Sequence, residues 1–193
     1  MQIQNLATDA GGMTSNAFLV SGSTVGLVDT GAGFDVLSSI ESRGLPLPEV
    51  VVLTHTHPDH VGNVDSFSSK GIPIYGFDES SGYVTDALDD GATIELGDDL
   101  FEAWYTPGHA QDHLCLFSET SKVLFSGDLI FPQGGVGRTD LPGCDHEDLI
   151  DSIERVLNHT DDSLEAMYAG HGPSVVTNPY QHVQQAARFV GIG

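Results

Sequence analysis

Apolar residues recur along this chain in two rhythms. Short runs such as Asn16 to Ser21, Thr24 to Asp29 and Val50 to Leu53 are dense in Val, Leu and Phe. They are bounded by Gly, Ser or Pro, as strands are. Pro73 to Phe77 has the same character. So do four runs between Ala92 and Phe125: Thr93 to Leu96, Leu100 to Tyr105, Leu114 to Ser118 and Val123 to Ser126. The spacing of these four predicts an antiparallel meander. Ser163 to Ala169 predicts a last strand. The helical rhythm is clearest from Asp145 to Asn158, where Leu149, Ile150, Ile153, Val156 and Leu157 form a stripe and Asp145 is placed to cap. Gly33 to Arg43 predicts a helix stopped at Gly44. Gly62 to Ser69 and Ser80 to Leu88 predict shorter helices. Asn178-Pro179 opens a final one, with Pro at the first helical position. Strand-rich halves with helices between and after them suit an α+β fold, a four-layer αββα sandwich. A single domain over residues 1–193 is expected, long enough to bury a sizeable core.

Composition narrows the function classes. The formal net charge is -22, with only six Lys plus Arg, and Asp outnumbers Glu by 19 to 9. An ordinary acidic enzyme fits these counts. A surface adapted to high salt fits them better, because salt screens the self-repulsion while hydrated carboxylates keep the protein soluble. Nucleic acid is excluded as a partner, since a polyanion needs clustered basic side chains. No run is long and apolar enough for a transmembrane helix. The N-terminal residues lack the pattern of a signal peptide. Cys115 and Cys144 form no CxxC motif. A disulfide framework is not expected, and a cytoplasmic location is.

The chemistry concentrates in Thr54-His55-Thr56-His57-Pro58-Asp59-His60, directly after the apolar run Val50 to Leu53. Side chains at i and i+2 of an extended segment point the same way, so His55 and His57 can reach one ion. Asp59 and His60 lie where the chain turns and can reach a second. Imidazole and carboxylate suit Zn(II), and also Fe(II) or Mn(II). Further candidates each follow a strand and adjoin glycine: Gly108-His109, Gly127-Asp128 and Gly170-His171-Gly172. Without a metal, such convergence would carry a large desolvation cost. His113, His146, His159 and His182 fall outside the pattern and are expected at the surface or behind the ligands; His113, four residues after His109, is expected to face solvent, with a substrate contact as the alternative. Cys115 lies in an apolar strand with no base nearby in sequence, so a catalytic thiol is not expected.

Together these segments strongly resemble the metallo-β-lactamase-fold hydrolase superfamily. The resemblance runs from Asn16-Ala17-Phe18-Leu19-Val20 and Gly26-Leu27-Val28-Asp29-Thr30-Gly31 to Gly170-His171-Gly172. It implies two divalent metal ions, zinc first and iron or manganese next. His55, His57 and His109 would hold one, Asp59, His60 and His171 the other, and Asp128 would bridge them. Metal binding lowers the pKa of water to about 7, giving a hydroxide nucleophile for an acyl carbonyl. Asp59 would orient it. Asp29 would hold a ligand histidine or tie a loop, and Thr54 would cap the ligand loop.

Thr106-Pro107-Gly108-His109 and the loop Gly134 to Gly143 look like the compact glyoxalase II-type (hydroxyacylglutathione hydrolase) enzymes, which cleave S-lactoylglutathione. A small-molecule thioester substrate follows from that resemblance. Asp128 stands where the best-known β-lactamase class has cysteine, which disfavours that activity. Gly137-Arg138-Thr139-Asp140 is also similar to persulfide dioxygenases, which would use His55, His109 and Asp128 on a single iron; that is the alternative. The basic C-terminal region of full-length glyoxalase II has no counterpart in this sequence, leaving Arg138 as the candidate substrate anchor, or else as a structural partner of Asp140. The resemblance leaves the oligomeric state open.

Overall fold

The computed structural model describes residues 1–193. Eleven strands form two mixed sheets. The first holds β1 (Gln2–Asn5), β2 (Phe18–Ser21), β3 (Val25–Val28), β4 (Val50–Val52), β5 (Ile74–Gly76) and β6 (Asp86–Ala87), hydrogen-bonded in that order. The second holds β7 (Thr93–Leu96), β8 (Asp99–Tyr105), β9 (Leu114–Ser118), β10 (Val123–Gly127) and β11 (Ala166–Ala169). Its first four strands are the expected antiparallel meander, and β11 joins β10 in parallel.

The period of two explains the layers. On β4, Val50 and Val52 face the second sheet and pack with Phe18, Leu114, Leu116 and Phe125 in a core between the sheets. Val51 and Leu53 face the other way, onto Val36 and Ile40 of α1 (Val36–Ser42) and Val64 and Phe67 of α3 (Val64–Ser68). On the far side of the second sheet, Trp104, Cys115, Phe117 and Met167 pack under α4 (His146–His159) and α5 (Pro179–Phe189). Both sheets are therefore buried on both faces, giving the αββα sandwich and explaining near-continuous apolar runs such as Val50 to Leu53.

Helix starts follow local chemistry. Asp35 and Asp145 each cap a helix by accepting backbone N–H groups, from Ser38 and from Glu147 and Asp148. Pro179 opens α5 as expected. One expectation needs correction, and two further elements add to the reading. Ser80 to Leu88 is not a helix: a single 3-10 turn, Glu79–Ser81, stops at Gly82 in the left-handed region, φ 80°. The chain then pairs as β6 on the edge of β5. Thr85 supports this: its hydroxyl accepts the Ile74 backbone N–H and its own N–H donates to the Ile74 carbonyl. The edge strand β1 is unanticipated, because Gln2–Asn5 is too short and polar to show a period. The ligand run itself ends in a helical turn, α2 (Pro58–Val61). No helix is long and apolar enough to cross a membrane.

Candidate metal centre

Strand β4 ends at Val52 and delivers His55 to the cleft between the sheet ends. His57 remains extended (φ -65°, ψ 148°) as the cap of α2, and Pro58 fixes the first helical position. The turn carries Asp59 over to His171, while His60 stays beside His55 with ring centroids 4.0 Å apart. His109 arrives after β8, Asp128 after β10 and His171 after β11.

These seven groups come together. His57 Nδ1 lies 3.1 Å from His55 Nε2 and 3.0 Å from His109 Nε2. Ligand atoms on one tetrahedral ion with bonds of about 2.0 Å lie about 3.3 Å apart, so three nitrogens sit near one coordination sphere. The second group is Asp59, His60 and His171, with His171 Nε2 3.1 Å from Asp59 Oδ2. Asp128 stands between them. Its Oδ1 is 3.4 Å from His60 Nε2, and its Oδ2 is 3.4 Å from both His109 Nε2 and His171 Nε2.

The aim of Asp128 depends on an irregularity. Between β10 and β11 the register jumps a residue, pairing Phe125 with Tyr168 but Gly127 with Ala169. This bulge bends β10 just before the carboxylate. Gly127 has φ 49°, and a Cβ there would lie 2.4 Å from His113 Nε2. A Cβ on Gly170 would lie 2.0 Å from Asp128 Oδ1. Glycine at both positions lets backbone approach the cluster.

A surrounding set of bonds fixes each ring. His60 Nδ1–H donates to Asp29 Oδ2 at 2.9 Å, leaving Nε2 bare. Asp29 also accepts from the Thr54 backbone N–H and hydroxyl. With its hydroxyl proton so committed, Thr54 Oγ1 accepts from His55 Nδ1–H at 3.1 Å. His109 Nδ1–H donates to the Arg138 carbonyl at 3.0 Å. In each case the hydrogen bond selects the tautomer that frees Nε2 for an ion. Asp29 thus serves both roles considered for it.

His113 differs from expectation. It is fully buried, not solvent-facing. Its Nε2 accepts the backbone N–H of Asp128 at 3.0 Å, and its Nδ1 lies 2.9 Å from Thr106 Oγ1. Burial first, and His109 second, push its pKa down to about 3, so the ring stays neutral as this geometry requires. A sequence signal was available: His113 immediately precedes Leu114–Ser118, a strand buried on both faces.

Whether the residues fit a metal can be asked of the buried polar atoms. His60 Nε2 and Asp128 Oδ1 are buried and have no hydrogen-bond partner. Orphaned groups of this kind are costly in a protein interior, and a cation between them removes the cost. The charge pattern agrees. Burial alone would lower the pKa of His60, but Asp29 and Asp128 outweigh it and raise it to about 10. Contact with Asp128 and Asp59 raises His171 to about 9. Asp128 is pushed up by burial but held well below the usual carboxylate range by the neighbouring imidazoles of His171 and His60. Burial keeps His55 and His57 low, assisted by neighbouring imidazoles. A divalent cation held by these groups would displace protons from His60 and His171.

The cluster floors a cavity of about 850 Å³. Met13, Phe131, Val136 and Leu141 line its sides, and Arg138 is its one Lys or Arg. Arg138 Nε and Nη2 each donate to Asp140 at 2.7 Å. Cys115 is buried away from the cavity, and burial pushes its thiol up to about 12.

Fold and cluster together define the family. Residues 10–171 match the Metallo-beta-lactamase superfamily, and the chain belongs to it. It is 31% identical over 188 residues to the Bacillus subtilis protein named "Probable metallo-hydrolase YqgX", covering 84% of this chain and 87% of the relative. It is 32% identical over 170 residues to the Haemophilus influenzae hydroxyacylglutathione hydrolase GloC, covering 76% and 79%. Among solved structures, TTHA1623 in a di-iron-bound form is similar, with TM-score 0.74 and 27% identity over 97% of this chain and 98% of that one. ETHE1 from Myxococcus xanthus shares the fold, with TM-score 0.78 and 21% identity over 98% and 90%.

Proposed function

We propose that this metal-dependent hydrolase cleaves thioesters, S-acyl conjugates of a thiol such as S-lactoyl conjugates, with two divalent ions held by His55, His57 and His109, by Asp59, His60 and His171, and by Asp128 between them. The observation that carries this reading is the placement of Asp128, within 3.4 Å of imidazoles from both groups. When bound, such ions supply Lewis acidity and bring the pKa of water to about 7. Zinc is the first candidate, and iron or manganese suit the same donors.

The chain's own groups do the positioning. Asp59 lines the cavity and is half-buried, so it can accept a hydrogen from the attacking water and orient its oxygen toward the acyl carbon. Water's oxygen bonds to that carbon, the acyl–sulfur bond breaks, and the products are a carboxylate, a thiol and one released proton. The cavity holds no lysine, tyrosine or cysteine to protonate a departing amine. A thiol with pKa of about 8.5 leaves as thiolate and needs no such donor. The similarity to GloC supports the same substrate class.

Persulfide dioxygenation is the second reading. Its motivation is the Gly137 to Asp140 stretch, and it would require only His55, His109 and Asp128. It leaves the convergence of Asp59, His60 and His171 without a purpose. Thiol release from S-lactoylglutathione and other lactoyl thioesters, measured without oxygen after loading with zinc, manganese or iron, separates the two. Anaerobic turnover supports hydrolysis. Oxygen uptake on glutathione persulfide by the iron form, with no thioester cleavage, would replace it.

A further inference from the structure

The mouth of the cavity departs from the rest of the surface. The protein carries a net charge of -22, yet Met13 (93% exposed) and Leu141 (38% exposed) both line the cavity with exposed side chains. Phe131 and Val136, both half-buried, continue this apolar surface toward the cluster. Exposed apolar side chains around a concave polar floor mark a ligand surface. Methionine on a Gly11-Gly12 segment is suited to adapt to an apolar partner.

The cationic side of the mouth is neutralised. Arg138 donates to Asp140 through Nε and Nη2, so an entering carboxylate has to compete with Asp140 for the guanidinium. No other Lys or Arg lines the cavity, and Arg43, Lys122 and Arg155 pair elsewhere with Asp9, Glu119 and Asp90. The field of an acidic protein also disfavours the approach of an anion.

Resting on the thioesterase reading above, we infer that the preferred substrate carries an uncharged thiol arm, laid along Met13, Phe131, Val136 and Leu141, and that Arg138 is not an anchor for a carboxylate. Glutathione, with two carboxylates and one ammonium, is a poor fit to this mouth. A neutral amide-containing or alkyl thiol is a good one. Asp140 is then the residue that sets the preference, by holding Arg138.

The test compares S-lactoylglutathione with the lactoyl thioester of N-acetylcysteamine, which is neutral, from about 0.2 to 2 M salt. Expected is a kcat/KM at least about fivefold higher for the neutral thioester at low salt. Salt should raise kcat/KM for the glutathione thioester relative to the neutral one, because screening relieves repulsion. Asp140→Asn should raise the glutathione-to-neutral ratio severalfold, and Met13→Ser with Leu141→Ser should lower kcat/KM for the neutral thioester. A glutathione preference that weakens as salt rises would overturn the inference while leaving thioester hydrolysis intact. Cleavage of neither thioester would overturn the hydrolase reading and the inference with it.

Discussion

The backbone N–H of Asp128 points at His113 Nε2 from 3.0 Å, and the ring is fully buried behind the cluster. One histidine that lies outside the seven-residue cluster thus holds the main chain of the residue both halves share. His113→Phe removes the acceptor and leaves a buried N–H unpaired. The expected cost is about 1–3 kcal/mol in unfolding free energy. Metal affinity should fall about 10–100-fold, the usual effect of losing an outer partner of a ligand. Denaturant unfolding and chelator competition measure the two separately. Unfolding affected with affinity unchanged would limit His113 to a structural role.

Asp128→Ala should empty both metal positions together, because its Oδ2 lies 3.4 Å from His109 of one group and 3.4 Å from His171 of the other. Retention of both ions in that variant, measured by elemental analysis, would rule out the bridge. His171→Ala should act more locally, weakening the position shared with Asp59 and His60. Selective loss from the His55, His57 and His109 position would reverse the assignment.

Protons and metal compete for the cluster. In the metal-free fold His60 titrates at about 10 and His171 at about 9, both above the ordinary histidine value. Their raised pKa stabilises the metal-free fold fully below about 6.5, and that contribution is lost as pH climbs through 9 to 10. Metal affinity has the opposite trend, strengthening with pH as the protons leave. Calorimetry in buffers of differing ionisation enthalpy should show up to two protons released per chain at pH 7. Uptake without proton release would contradict the protonated cluster.

At the acid end the sign reverses for His113, whose folded pKa is depressed to about 3. Its contribution to stability is complete above about 6.5 and declines as pH falls toward 3, since the unfolded chain takes up the proton first. An acid unfolding midpoint that moves lower in His113→Gln, which can still accept from Asp128, checks this. An unmoved midpoint would assign acid lability to other groups.

Much of this was legible in the sequence, for a physical reason. His55 and His57 share a side because extended backbone has a period of two, and Pro58 announces the turn that redirects Asp59 and His60. The β4 strand and the α4 stripe were equally plain, because burial imposes their periods. Less was legible where long-range register decides. The bulge that aims Asp128 exists only in the pairing of β10 with β11. His113 reads as solvent-facing because the apolar run after it, Leu114–Ser118, marks its burial only once that strand is known to be covered on both faces. The 3-10 turn and edge strand replacing the helix expected over Ser80 to Leu88 depend on a bond from the Ile74 N–H to the Thr85 hydroxyl, eleven residues away.

Metal content per folded chain tests the central claim most directly, measured after loading and exhaustive dialysis on the protein and on His171→Ala. The account predicts two ions in the protein and loss of one in the variant. A single ion in the protein, retained in His171→Ala, would contradict the two-metal centre and favour chemistry on His55, His109 and Asp128 alone.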